Sequence, residues 1–212
     1  MLLCPSDDPY ASDRGVIPAQ HYYNVSGRAI PVWFYSYQPT ETDLPGSSSA
    51  GRTCYLGVGG TFGRGTHSVP EPPDWPFAFE TYEGLLTNRS RNSLEKVADG
   101  TSNTLLFGEV TGGSVMDPAG KHGYPWISVG SMPTFLGLST TIPEWFQFSS
   151  FHGSVVQFCF ADGSVRGLRP GGTSLSIADL LGNPQFTNDW FALQQLAGFR
   201  DGEARDMSAI LP

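Results

Sequence analysis

Glycine and proline interrupt this chain so often that only short helices and strands fit between them. Of the 212 residues, 26 are glycine and 17 are proline, and three prolines fall within residues 70–73. Proline removes a backbone donor and fixes φ, and glycine weakens a helix or strand interior. Such interruptions favour short strands joined by irregular loops. The sequence therefore predicts an α+β fold with an antiparallel, β-rich sheet, short helices and long loops.

The charge distribution argues against nucleic acids and anionic membrane surfaces as partners. The net charge is −8, and only two of the twelve basic residues are lysines, Lys96 and Lys121. Proteins that bind nucleic acid or anionic membrane surfaces present a basic stripe or patch, because phosphates dominate the binding energy. This chain has no such stripe, so we expect no nucleic-acid partner and no binding to an anionic membrane surface.

Membrane and export signals are also missing from the sequence as given. No stretch approaches the roughly 18 consecutive apolar residues of a membrane span. The first ten residues, MLLCPSDDPY, lack the basic and apolar regions of a signal peptide. We therefore predict no membrane span and no export signal in this chain.

The chain is predicted to form one domain over residues 1–212. Residues 1–52 are polar and rich in turn formers, so we expect a loop-rich N-terminal part with an edge strand at VWFYSY, residues 32–37. Residues 53–212 alternate strand-like and turn-like stretches and are expected to contain the core. No internal repeat of 20 to 50 residues is present.

The clearest supersecondary signal is a β-hairpin near the C-terminus. SVVQFCFA and SVRGL read as strands, and the Asp162-Gly163 pair between them is typical of a two-residue type I′ turn. TLLFGEV, from Thr104, reads as a strand long enough to lie beside SVVQFCFA. An antiparallel pairing that aligns Thr104 with Ala161 is expected.

Three short helical segments are predicted from their capping residues. Asn92, Ser176 and Asn188 each stand before a helix-like stretch, where a short polar side chain satisfies free backbone N–H groups. The last stretch, NDWFALQQLAG, ends at Gly198. Its apolar residues repeat at helical spacing and predict one buried face: Trp190, Leu193, Leu196 and Ala197.

His152 and Asp162 invite a catalytic interpretation that the strand between them rules out. A strand rises about 3.3 Å per residue, so ten steps place the two residues roughly 30 Å apart. We interpret Asp162-Gly163 as the turn and His152 as the start of the strand. The expected pairing brings Glu109 near His152, and we predict a contact between the two side chains, direct or through one water.

No motif in the sequence predicts catalysis, a cofactor or a metal centre. The nucleophile motifs G-x-S-x-G and S-x-x-K are missing, the four histidines are scattered, and the three cysteines form no C-x-x-C pair. The glycine run GVGGTFGRG lacks the helix and lysine of a phosphate-binding loop. Asp99 and Asp162 are weak calcium candidates, with backbone-capping turns as the alternative.

Two motifs, taken with their order, resemble a known family. These are DGTSNTLLFGE at residues 99–109 and a histidine followed by nine residues and Asp-Gly. The motif residues that we single out are Asp99, Gly100, Ser102, Asn103, Glu109, His152, Asp162 and Gly163. They resemble a planctomycete family of prepilin-like proteins, which contains a domain of unknown function. CPSD, RTCYLGVGG, YEGLLTNRSRNSLEKVADG and LQQLAGFRDGE follow in the family's order, so the resemblance runs nearly end to end.

The resemblance implies an architecture more than an activity. Members carry a type IV prepilin leader and an apolar helix before CPSD, which this sequence lacks, and they display a pilin-like globular head. It implies a non-catalytic, pseudopilin-like protein of the cell envelope, with pilin-like or secretion-system assembly partners. It also offers a partner for the odd cysteine, because Cys4 would pair with a residue of the preceding part.

Two other functions stay open at this point. A module that binds a surface polysaccharide or another ligand would present several aromatic rings on one exposed face, with Trp33, Tyr35, Trp75 and Trp126 as candidates. An enzyme of unrecognised type would show a cleft that holds several titratable groups with perturbed pKa values.

Overall fold

A computed structural model describes twelve parts of the chain. These are residues 3–11, 15–25, 28–37, 51–63, 75–78, 80–87, 90–113, 121–125, 130–141, 144–176, 179 and 184–212, with the backbone alone described in 15–25 and 28–37. Short strands and loops dominate these parts, and the strand pairs are mostly antiparallel. The predicted α+β, sheet-rich fold with short helices is confirmed. No helix within these ranges is both long and apolar enough to cross a membrane.

Most elements are short, as the glycine and proline content predicts, and the exceptions are β1 with 11 residues and β2 and α1 with 10 residues each. The strands, in chain order, are β1 Gly15–Val25, β2 Arg28–Tyr37, β3 Arg52–Thr53, β4 Tyr55–Val58, β5 Leu105–Glu109, β6 Tyr124–Pro125, β7 Ser131–Met132, β8 Leu138–Ser139, β9 Phe148–Ser149, β10 Val156–Phe160 and β11 Val165–Leu168. Two 3-10 turns cover Leu94–Lys96 and Thr101–Asn103, and the α-helix α1 covers Asn188–Ala197.

The central sheet has five strands in the order β11-β10-β5-β4-β7. All neighbours are antiparallel except β4 and β7. Along β10, Val156, Phe158 and Phe160 are buried while the residues between them are half-buried. This alternation places one face of β10 in the core, and the core continues into α1.

The predicted hairpin between β10 and β11 is confirmed, with a longer loop than expected. Phe160 N donates to Ser164 O at 2.8 Å, and Gly163 N donates to Phe160 O at 3.0 Å. Three residues, 161–163, therefore form the loop, instead of the two of a type I′ turn. Gly163 has a φ of +84°, which fits a four-residue turn followed by a left-handed glycine that restores the strand twist.

The N-terminal part contains more strand than predicted. β1 and β2 pair antiparallel, from Gly15 opposite Tyr37 to Val25 opposite Arg28. The predicted edge strand at residues 32–37 lies within β2, but a loop-rich interpretation was wrong for residues 15–25. Both stretches are rich in aromatic and β-branched residues, which suit a pleated strand even where prolines interrupt them.

Helix α1 packs as predicted, with a different cap. Trp190, Leu193 and Leu196 are all buried, and the Trp190 indole donates to Phe135 O at 2.7 Å. The N-cap is Thr187, whose hydroxyl accepts from Trp190 N at 3.0 Å. Asn188 was predicted for this role, but Thr187 stands one residue earlier with extended backbone, the conformation that a cap requires.

Of the two other predicted N-caps, Ser176 makes the expected capping bonds and Asn92 does not. Ser176 and Asp179 bond reciprocally, since Ser176 N donates to the Asp179 carboxylate at 2.9 Å and Asp179 N donates to the Ser176 hydroxyl at 3.1 Å. The rest of that predicted helix lies outside the described residues. Asn92 is not a cap: Ser93 precedes the 3-10 turn, and the Asn92 amide donates to Leu85 O at 3.1 Å instead.

Candidate functional site

The residues of the two motifs lie at opposite ends of β10. His152 precedes the strand, which begins at Val156, and Asp162 and Gly163 follow its last residue, Phe160. Each end has its own partners among the described residues. The strand between them keeps His152 and Asp162 apart as expected, but it is shorter than predicted: β10 covers five residues, and His152 lies in the turn before it.

The predicted contact between Glu109 and His152 is present. Glu109 Oε1 lies 3.4 Å from His152 Nε2. The strand register produces it: Ala161 N donates to Thr104 O at 2.8 Å, the alignment expected from the sequence. A bulge at Leu106 then shifts the register, so that Gly108 pairs with Phe158 and Glu109 lies beside Gln157. His152 reaches the Glu109 carboxylate from the turn before β10.

Cys4 completes this group, and the sequence did not reveal it. Its Sγ lies 3.0 Å from Glu109 Oε1 and 3.1 Å from His152 Nε2. These donor atoms all lie within 4.8 Å of one another. We call the three residues the Cys4 cluster. The only sequence signal for Cys4 was the order of the family motifs, because no local spacing connects it to residues 105 and 148 positions away.

Two further contacts fix the orientation of the cluster. The Ser6 hydroxyl lies 3.3 Å from His152 Nδ1, so the other ring nitrogen, Nε2, faces Cys4 and Glu109. Gln157 N donates to Glu109 Oε2 at 3.3 Å, which leaves Oε1 facing the cluster. Both side chains are thus held by the atoms that the cluster does not use.

Burial differs within the cluster and affects its chemistry. The Glu109 side chain is fully buried, whereas the His152 side chain is 33% exposed. Burial, reinforced by the hydrogen bond to Glu109, raises the pKa of the Cys4 thiol to about 11. The neighbouring Cys54 thiol, also buried, has its pKa raised to about 12. Both cysteines are free, and both are protonated thiols at neutral pH.

The segment around Cys4 is bound to the sheet at several points. The Asp7 carboxylate pairs with Lys121 and accepts from the Cys54 thiol at 3.4 Å. The Arg52 guanidinium donates to Pro9 O at 2.6 Å, and Arg52 N donates to the Tyr10 hydroxyl at 3.0 Å. Residues 3–11 are therefore attached along their length to β3 and the sheet behind it.

At the other end of β10 the contacts run through the backbone. Asp162 N donates to Thr101 O at 3.0 Å, and the Arg166 guanidinium donates to Ser102 O. Gly100, with a φ of +90°, begins the 3-10 turn over Thr101–Asn103. The DGTSNT motif thus shapes a turn that packs against the hairpin loop.

The carboxylates suggested for calcium accept backbone N–H groups. Asp162 Oδ1 accepts from Ser164 N at 2.8 Å. Asp99 accepts from Asp201 N at 2.9 Å and from Gly202 N at 3.0 Å, while Asn103 donates to Asp99 O at 3.2 Å. These contacts match the backbone-capping role given as the alternative to calcium binding.

The aromatic residues suggested for ligand binding can be judged at one position. Trp75 is only 9% exposed, and its ring stacks on Phe62 and Phe135 at centroid distances of 5.7 and 5.3 Å. It belongs to the core, so its assignment to an exposed binding face was wrong. Trp126 and the side chains of Trp33 and Tyr35 lie outside the described residues.

Comparison with known protein families gives a match over most of the chain. A family model described as "Protein of unknown function (DUF1559)" matches residues 1–141 of the 212. The matched part includes Cys4 and Glu109 and ends before His152. No curated protein and no solved structure matches the chain.

Proposed function

Since the chain belongs to the DUF1559 family of proteins of unknown function, we propose that it is a non-catalytic, pseudopilin-like protein of the cell envelope. The proposal joins that membership to the resemblance of the two motifs to planctomycete prepilin-like proteins. Its globular head would be displayed from its N-terminal side, and its partners would be other pilin-like or secretion-system subunits.

The observation that carries the proposal is that the motif residues attach remote segments to the sheet. At one end of β10, Glu109 and His152 hold Cys4 and with it residues 3–11. At the other end, the hairpin loop holds the turn over Thr101–Asn103. A head displayed from its N-terminal side needs this kind of attachment, because a load on the N-terminal segment must be transmitted to the core.

The geometry of the Cys4 cluster supports a non-catalytic role. A thiol nucleophile needs a histidine nitrogen as its base and an acid on the other nitrogen to orient the ring. Here the Glu109 carboxylate contacts Cys4 and the same Nε2 that faces the thiol. Nδ1 faces the Ser6 hydroxyl instead. The Glu109 carboxylate accepts a hydrogen bond from the Cys4 thiol and does not orient the His152 ring as a base.

Cell fractionation tests the envelope assignment. An antibody against the head, applied to fractions of native cells, should detect the protein with the envelope, and protease added to intact cells should degrade it. A soluble, protease-protected cytosolic protein would contradict the proposal. A cytosolic marker that stays protected in the same cells controls for lysis.

Thiol alkylation tests the non-catalytic assignment. In the folded chain we expect iodoacetamide to modify the half-buried Cys159 before Cys4, which is only 2% exposed and protonated. Peptide mass spectrometry over time gives the two rates, with the unfolded chain as the reference for equal access. Faster modification of Cys4 than of Cys159 would show an activated nucleophile and count against the proposal.

A further inference from the structure

The three donor atoms of the Cys4 cluster are of different chemical types and lie almost equally far apart. The three separations are 3.0 Å between sulfur and carboxylate oxygen, 3.1 Å between sulfur and imidazole nitrogen, and 3.4 Å between oxygen and nitrogen. They form a nearly equilateral triangle of one thiol, one carboxylate and one imidazole. Such a triangle is one face of a tetrahedron.

The size of this triangle fits a coordinated ion. Zinc binds sulfur at about 2.3 Å and nitrogen or oxygen at about 2.0–2.2 Å, so the ligand atoms of a tetrahedral site lie about 3.4–3.6 Å apart. The separation of oxygen and nitrogen already has this length, and the two separations that involve sulfur would each have to grow by about 0.5 Å. A thiolate, an imidazole and one carboxylate are also ligands that zinc accepts, whereas calcium and magnesium prefer oxygen alone.

The surroundings already provide the outer contacts that a metal site needs. A coordinating histidine uses one ring nitrogen for the metal and the other for a hydrogen bond that fixes the ring. The Ser6 hydroxyl occupies this second position on His152. The carboxylate oxygen of Glu109 that does not face the cluster, Oε2, likewise accepts a hydrogen bond from Gln157 N. Neither contact would have to break for an ion to bind.

We propose that Cys4, Glu109 and His152 together bind one divalent transition-metal ion of the zinc class. The thiol proton passes to the solvent when the ion binds, and the partly exposed His152 side admits a water molecule as fourth ligand. The sequence predicted no metal, because its histidines lack the local spacing of a zinc motif. The ion would link residues 3–11 to β5 and to the chain before β10. This role stands whether or not the protein is found in the envelope.

Metal titration of the whole chain tests the proposal. The protein is dialysed against chelator and reductant, then titrated with Zn²⁺ or with Co²⁺, whose thiolate complexes absorb in the near ultraviolet. We expect one ion per chain, the cobalt–thiolate band, and a higher melting temperature with zinc. If the wild-type chain takes up less than one ion, or binds cobalt without the thiolate band, the proposal is wrong.

Single substitutions test which side chains bind the metal ion. Cys4→Ser should lose the thiolate band, and His152→Gln should weaken zinc binding by more than tenfold, whereas Cys159→Ser, at a cysteine outside the cluster, should bind as the wild type does. Circular dichroism shows whether each variant is folded. If Cys4→Ser does not fold, His152→Gln tests the site in its place, since the partly exposed His152 side chain can be replaced with less risk to the fold. Wild-type affinity in a folded His152→Gln, loss of affinity in Cys159→Ser, or displacement of zinc by excess calcium would overturn the assignment.

Discussion

The two ends of β10 hold remote parts of the chain in different ways. At the start, three side chains converge, and two of them, Cys4 and Glu109, are buried. At the end, the hairpin loop and the DGTSNT turn meet mainly through backbone groups, and the Asp162 carboxylate is exposed. The nine residues between histidine and Asp-Gly therefore contain part of a turn and the five-residue strand β10, which joins two separate attachments.

This difference predicts which substitutions each end tolerates. At the His152 end the chemical identity of the side chains matters, because each donor atom has a specific partner. At the Asp162 end the backbone conformation matters more, because every contact uses a backbone N–H or C=O group and only Asp162 and Arg166 add side-chain partners. The first end should respond to changes of functional group and the second to changes of backbone preference.

The largest effect is expected at Glu109. Glu109→Ala leaves the Cys4 thiol and Gln157 N without their acceptor and opens a cavity at a fully buried position. We expect the free energy of unfolding in urea to fall by about 2–4 kcal/mol. Glu109→Gln keeps an acceptor oxygen in the same place and should lose clearly less. Equal losses in the two variants would show that the negative charge, which both variants lack, matters more than the packing and the acceptor oxygen that glutamine keeps.

At the other end, Gly163→Val should cost about 1–2 kcal/mol of unfolding free energy. Gly163 has a φ of +84°, and a Cβ placed there would meet no atom within 4 Å. The cost is therefore one of backbone conformation alone. Asparagine tolerates this conformation, so Gly163→Asn should retain most of the stability in the same urea experiment. An equal loss in both variants would contradict a conformational origin.

The two ends of β10 also differ in how well the sequence predicted them. The hairpin was predictable from strand periodicity and its turn residues. The alignment of Thr104 with Ala161 placed Glu109 at the His152 end of β10, although the bulge at Leu106 shifts the register between them and was not predicted. Cys4 was not predictable, because it reaches the cluster from a segment without strand pairing, and only three-dimensional packing brings it there. Sequence periodicity places residues within neighbouring strands, but it does not place a segment that packs against the sheet without pairing to a strand.

The errors in the fold have equally local reasons. β1 was assigned to a loop because its proline and polar residues outweighed its aromatic ones, and pairing with β2 reversed that balance. Thr187 and Asn188 are both good N-cap residues, and the sequence alone does not say which one adopts the extended conformation. The hairpin loop gained a residue because Ala161 bonds to Thr104 O and does not pair across the hairpin.

A pH dependence is expected near the turn end. Burial, with the nearby Asp99 and Glu203 carboxylates, raises the pKa of Asp201 from 3.8 to about 6. Between pH 4 and 6 the folded chain then binds more protons than the unfolded chain, so stability decreases as pH rises through this range. At this half-buried site we expect a loss of about 1–2 kcal/mol after solvent screening.

Asp201→Asn tests this pH dependence. The asparagine oxygen can still accept from Glu203 N, as Asp201 does at 3.0 Å, but it adds no charge. The variant should be more stable than the wild type at pH 7 and should show a smaller decrease between pH 4 and 6, measured by urea unfolding at each pH. Asp206→Asn, at an exposed carboxylate nearby, is the control and should leave the decrease unchanged.

The smallest effect on stability is expected at Ser6. A substitution there distinguishes a metal site from a cluster that is held by hydrogen bonds alone. Ser6 is exposed, and its hydroxyl lies near His152 Nδ1. Ser6→Ala in metal-free protein should therefore change the unfolding free energy by less than about 0.5 kcal/mol. With zinc, the same substitution removes the contact that orients the coordinating ring, and affinity should fall by about tenfold. Isothermal titration and thermal melts with and without zinc measure both quantities on one pair of proteins. Ser6→Thr keeps the hydroxyl and should restore the affinity. If Ser6→Ala lowers stability equally with and without zinc, the Ser6 hydroxyl stabilises the fold and does not position a ligand.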